Sequence, residues 1–261
     1  SDGNGDGVKV MYNWLVNDSS SPGPGKSITI LNMPFERING TNTDNAWDYS
    51  GYEHDGSESG ATWNATGGHD GNASYEFDGS NDIITIARND TLQPNSSITV
   101  SLWLKRNGAQ QSWAKPLWYG PNDNSPWGAY GFQFNNADDN IINWHIADTG
   151  SEANPSTGAI INDATWYHLV GRYNGSHAAV FVDGTQIAAS AHATGIADYD
   201  ATNGLAIGDK FETANRFKGT IDDVIIFNKS LSLEQIQAIF TNRTDLIVSQ
   251  ELSANQNWTV D

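Results

Sequence analysis

The sequence predicts an all-β protein, and three observations carry that expectation. Residues 98–104 alternate strictly, with Ile98, Val100, Leu102 and Leu104 on one face, the period of a strand with one side buried. Asn174-Gly175 and Asp183-Gly184 separate three apolar runs at hairpin spacing, and such dipeptides supply the positive φ that type I′ turns require. Glycine (26) and tryptophan (10) are abundant, as in chains built of many turns and aromatic-rich strands.

Taken in order, the chain opens with Ser-Asp-Gly-Asn-Gly-Asp-Gly, in which Asp2, Asn4 and Asp6 alternate with glycine. That is the first half of a calcium loop, with side-chain oxygens converging around tight turns. The distal glutamate is missing, so the residues suit an acidic, glycine-rich start equally well. Residues 8–16 read as a strand, Pro22-Gly23-Pro24-Gly25 as a breaker and 27–31 as a second strand. Strands are expected at 97–104, 130–135 and 141–147, with a long loop over 105–130. A meander of 166–173, 177–182 and 185–190 follows. The segment 219–227 is too apolar for a solvent strand and carries Asp222 and Asp223, which alternation sends to opposite faces. Ser232, three residues before Gln235, has capping-box spacing. Leu233, Ile236, Ile239 and Phe240 then form an apolar stripe at helical period. Residues 245–261 read as two more strands.

At 261 residues the chain can form one large β-domain or two smaller ones. A net charge of −18 disfavours nucleic acid as a partner and suits cation binding, solubility in high salt or simply an acidic extracellular surface. Without cysteine there is neither disulfide nor thiol chemistry. No 18-residue apolar run predicts a transmembrane helix, and no charged-then-apolar leader is present, so the chain reads as mature or excised. Ten Asn-X-Ser/Thr sequons, at Asn17, Asn39, Asn64, Asn72, Asn89, Asn95, Asn174, Asn228, Asn242 and Asn257, favour a secreted, glycosylated surface protein. A chain rich in Asn, Ser and Thr also makes some by chance.

Several separate stretches then point to one family. Asp48-Tyr49-Ser50-Gly51 leads to Asp55-Gly56, Phe77-Asp78-Gly79 leads to Asp82-Ile83-Ile84, Thr165-Trp166 precedes His168, and a strand with paired acids runs into a short helix at 219–240. In order and spacing these resemble laminin-G-like, concanavalin-A-like jelly-roll domains over residues 36–240. The resemblance implies a β-sandwich and says little about ligand. The Asp-Gly-rich start with Tyr12-Asn13-Trp14, and Trp258-Thr259-Val260 at the other end, resemble two halves of an immunoglobulin-like repeat of surface proteins. Residues 1–35 and 241–261 are therefore expected to form a second, incomplete module flanking the jelly roll.

The laminin-G-like resemblance implies one calcium ion, with carboxylates from Asp48 and Asp222 and neutral oxygens near Tyr52 and His54, the mixed oxygen set that hard cations take. Trp113, Trp118, Tyr119, Trp127 and Tyr130 crowd one loop-rich stretch with Gln110, Gln111, Asn122 and Asp123. Such aromatics can stack on sugar rings; they can equally form a local core or a subunit contact. Glu53, Asp55 and Glu58 have the spacing of a glycosidase carboxylate set, but His54, Gly56 and Ser57 stand between them where laminarinase-like jelly rolls place apolar residues. The spacing is read as coincidence and no enzyme is expected. The histidines at 54, 69, 145, 168, 177 and 192 show no zinc spacing. The leading expectation is an extracellular structural or adhesive protein whose copies join head to tail by strand addition into a filament or surface layer. The alternative is a carbohydrate-binding module of a secreted protein.

Overall fold

The computed structural model describes residues 14–16, 27–36, 45–120, 128–136, 140–197, 199, 202–209, 211, 214–242 and 258–260. Its strands are β1 (Trp14–Val16), β2 (Thr29–Met33), β3 (Asn45–Ala46), β4 (Gly56–Ser59), β5 (Thr62–Asn64), β6 (Ser74–Asp78), β7 (Ile83–Ile86), β8 (Ile98–Arg106) and β9 (Leu117–Tyr119). There follow β10 (Tyr130–Phe134), β11 (Ile142–Ala147), β12 (Glu152–Ala153), β13 (Trp166–Tyr173), β14 (His177–Val182), β15 (Thr185–Ala191), β16 (Leu205–Ile207), β17 (Lys218–Phe227) and β18 (Trp258–Val260). One helix, α1 (Leu233–Phe240), follows β17.

Two antiparallel sheets form a sandwich, as expected for an all-β jelly roll. One runs β12-β11-β10-β9-β16-β7-β4-β3; the other runs β15-β14-β13-β8-β17-β6-β5, with β2 also paired to β17. The alternating side of β8 faces the core, where Ile98, Val100, Leu102 and Leu104 are buried beside Trp144, Phe132, Tyr173 and Ile221. Gly171 is fitted to this packing: an added Cβ would stand 2.1 Å from Trp144.

The meander matches its sequence signals closely. At Asp183-Gly184 both residues take positive φ, 49° and 72°, the type I′ pattern. At the other turn Asn174 and His177 flank the two loop residues Gly175-Ser176, and only Gly175, the first of them, takes positive φ, at 91°, the type II′ pattern. The Asn174 side chain instead accepts the N–H groups of Ser176 (3.0 Å) and His177 (2.8 Å).

Ser232 caps α1: its hydroxyl accepts the Gln235 N–H at 3.2 Å, and the Gln235 side chain accepts the Ser232 N–H at 2.6 Å. The helix lies on the outer face of the second sheet, over Val170, Ala179, Phe181 and Leu231. Ile236 is buried there, whereas Leu233 is 46% exposed and does not join the stripe.

Two expectations are corrected. The stretch 105–130 is not one loop, because β9 pairs with both β10 and β16 near the middle of its sheet. The strand around 27–31 spans Thr29–Met33 and belongs to the main sandwich, since it pairs with β17 and buries Ile30, Leu31 and Met33 in the core. Of the two terminal halves, β1 and β18 pair antiparallel with each other, Leu15 opposite Thr259; most of the remainder, including Asp2, Asn4 and Asp6, lies outside the described residues.

Candidate functional site

Asp48 organises the loop between β3 and β4. Its carboxylate accepts four hydrogen bonds, from the N–H groups of Asn32 (2.9 Å), Ser50 (2.9 Å) and His54 (3.0 Å) and from the Ser50 hydroxyl (2.7 Å). Tyr52 donates its hydroxyl to the Ser27 carbonyl at 3.1 Å, and its ring stacks on His54 at 5.9 Å. His54 is buried, with Nε2 2.6 Å from the Thr91 hydroxyl. Burial holds its pKa below the ordinary value despite the opposing pull of Asp48 and Asp55. Four donors occupy the lone pairs of Asp48 and aim hydrogens into the loop, so these residues do not fit a calcium site built on it. The loop is an anchor that ties β2 to the segment around Thr91.

Asp222, the second carboxylate expected there, faces a different loop. Along β17, Asp222 pairs with Trp103 of β8 and Ile225 with Ser101. Asp223 and Val224 therefore stand opposite the single residue Leu102, a β-bulge that re-aims side chains. Asp223 takes the bulged position at φ 49°, and alternation is broken. Both carboxylates approach one imidazole, with His69 Nδ1 2.9 Å from Asp222 Oδ2 and 3.8 Å from Asp223 Oδ2. The expected separation of the two acids to opposite faces is thus corrected. His69 stood out in the sequence only as one histidine among six; the one signal beside it was Gly67-Gly68.

The aromatic set divides by burial. Tyr119 and Tyr130 lie edge to face at 5.5 Å within the core. Trp118 is 2% exposed, under the Lys115 ammonium at 3.9 Å from the ring centroid. Lys115 also donates to the Gln133 side chain. These three rings offer no free face: Tyr119 and Tyr130 lie in the core, and Trp118 is covered by Lys115 and His145. Trp127 lies outside the described residues. Trp113 differs: it is 45% exposed and sits at φ 62°, an uncommon conformation for a bulky residue.

The surroundings hold Trp113 in that position. The Gln110 side chain donates to the Lys218 carbonyl (2.7 Å) and accepts its N–H (3.0 Å). Gln111 donates to the Gly79 carbonyl (2.8 Å) and accepts the Asn215 N–H (2.8 Å). Asn215 returns a bond to the Ser112 carbonyl at 2.6 Å, and the neighbouring Arg216 is paired with Asp209 at 2.9 Å. A turn joining β8 to β9 is thereby fastened to the β16–β17 connection, with an indole at its tip. Asn215 and Arg216 carried no motif in the sequence; more than 100 residues separate them from the glutamines they engage. Trp47, 41% exposed beside Asp48, is the other exposed tryptophan among the described residues.

The family described as the concanavalin A-like lectin/glucanases superfamily matches residues 78–237. No curated protein matches the sequence. Among solved structures, the binding domain of Paraclostridial mosquitocidal protein 1 aligns with a TM-score of 0.62 at 13% identity, over 82% of this chain and 52% of that one. Domain 4 of AbnA, a GH43 extracellular arabinanase from Geobacillus stearothermophilus, was solved with arabinotriose; it aligns at 0.60 and 16% identity, over 81% of this chain and 97% of that one. Botulinum neurotoxin type C, which depends on interaction with two ganglioside molecules to enter cells, aligns at 0.62 and 18% identity, over 82% and 51%. The chain thus spans about half the length of two of these structures. At such identities the likeness is one of fold.

Proposed function

The chain belongs to the concanavalin A-like lectin/glucanases superfamily, and on that premise we propose that it is a carbohydrate-binding module whose contact surface is built around Trp113. The observation carrying this reading is an exposed indole held in a left-handed backbone conformation by side-chain bonds from two separate connections. A flat apolar face on a fixed loop suits the face of a sugar ring, since the ordering cost is met before binding. The arabinotriose complex of AbnA domain 4 supports the ligand class. The setting proposed is extracellular, and Asn89, Asn95, Asn174 and Asn242 are exposed sequon asparagines. Calcium at Asp48 forms no part of the reading, because its four donors leave no place for a cation. Strand addition between copies gains no support from the described residues and is not carried forward.

The test is a glycan array of neutral oligosaccharides, arabino-oligosaccharides included, followed by calorimetry on the binders. Trp113→Ala should lose at least roughly tenfold in affinity, about 1.4 kcal/mol, while Trp47→Ala binds as the parent does. No binding across the array, or equal affinity of Trp113→Ala and the parent, overturns the proposal.

A further inference from the structure

We infer that His69, Asp70, Asp222 and Asp223 form a binding site for a divalent transition-metal cation of the zinc type, independent of the glycan surface at Trp113. One ligand atom each from His69, Asp70 and Asp222 lies within 4.8 Å of the others. The two measured edges at His69 Nδ1, 2.9 Å to Asp222 and 3.8 Å to Asp223, bracket the ~3.3 Å edge of a tetrahedron with metal–ligand bonds of about 2.0–2.1 Å. One imidazole nitrogen with carboxylate oxygens is a donor set for zinc-like ions, whereas calcium takes six or more oxygens.

The environment gives independent support. Asp222 is 1% exposed. Its oxygens accept the backbone N–H groups of His69 and Asp223, Oδ2 lies 2.9 Å from His69 Nδ1, which binds a cation through its lone pair when the ring proton is on Nε2, and among the described residues no lysine or arginine pairs with it. Buried carboxylates are ordinarily paired with a cation or bound to a metal. The 67–70 loop comes close because Gly68 has no side chain: a Cβ there would stand 2.7 Å from Asp222 Oδ2. The His69 ring lies flat on Trp103, centroids 4.0 Å apart and planes 12° apart, which fixes the direction of Nδ1 before any ligand arrives. Asp70 is exposed and leaves the site open to solvent.

Zinc and cobalt(II), added separately to the full metal-free chain, test the inference. Calorimetry should show zinc uptake that His69→Ala and Asp70→Asn each weaken at least tenfold and that His177→Ala, at an exposed histidine elsewhere, leaves unchanged. Asp70 is exposed; Asp70→Asn keeps an acceptor for the Asn72 N–H and gives up only the exposed bond from the Asn72 side chain, so Asp70→Asn folds even if His69→Ala does not. Cobalt should give a visible d–d band in the parent that is lost in both variants. Absence of zinc uptake, or uptake and cobalt spectra unaffected by both variants, overturns the inference and leaves His69 and Asp222 as a plain hydrogen-bonded pair.

Discussion

At the scale of single residues, Asp48 and Trp113 show opposite uses of a side chain. Asp48 is structural: four donors converge on its carboxylate, and removal would leave several of them without an acceptor. Hydrogen bonds to a charged group contribute about 1.5–3 kcal/mol each and do not add fully. Asp48→Ala should therefore lower unfolding free energy by about 2–4 kcal/mol, read as a shift of the urea midpoint; a loss below about 0.5 kcal/mol would show that the loop is not the anchor described. Trp113 has little to contribute to folding because so much of its ring is in water. Trp113→Ala should melt with the parent, within about 0.5 kcal/mol, even as binding fails. Which aromatic of the loop-rich stretch is exposed could not be read from that stretch, since Trp113 and Trp118 have the same side chain and only the position of β9 separates them.

At the scale of elements, the features visible in the sequence are those in which every partner is near in the chain. The 166–190 meander follows from alternation and two glycine-containing turns, and the α1 cap from a three-residue spacing. Ser232→Ala should cost about 1 kcal/mol, the usual worth of a lost N-cap. Ile236→Ala should cost about 2–4 kcal/mol through the cavity left on the outer sheet face, and Leu233→Ser under about 0.5. Thermal melts should fall most in the Ile236 variant, less in the Ser232 variant and least in the Leu233 variant; a Leu233 variant as damaging as the Ile236 variant would show the helix packed on another face. Strand β9 escaped notice because three residues between Pro116 and Pro121, buried on both sides, show no alternation. The bulge at Asp223 escaped because register against β8 is not a local property.

At the scale of the whole molecule, pH reports on packing. His145 and His168 are buried, and burial is the first cause that pushes their pKa values down, to about 4 and about 3. An unfolded histidine takes its proton near 6.5. Below that pH the unfolded chain binds more protons than the folded one, so stability is fully present above about pH 6.5 and is lost as pH falls towards 4. Each histidine adds on the order of 1.4 kcal/mol per pH unit in that window. Urea midpoints should fall measurably from pH 7 to pH 5 and fall less in His145→Asn; equal midpoints would mean that these imidazoles are not held neutral by the fold.

By itself the sequence determined the all-β class, the meander and its turns, the helix cap, and a stability that owes nothing to disulfides. These depend on periodicity and on neighbours a few residues away. The tertiary structure decided which carboxylate is an anchor, which tryptophan meets solvent and which histidine meets Asp222 across 153 positions. Those outcomes follow from how two sheets stack and where one bulge shifts the register. A one-residue slip there sends a side chain to the other face, and no local pattern records it.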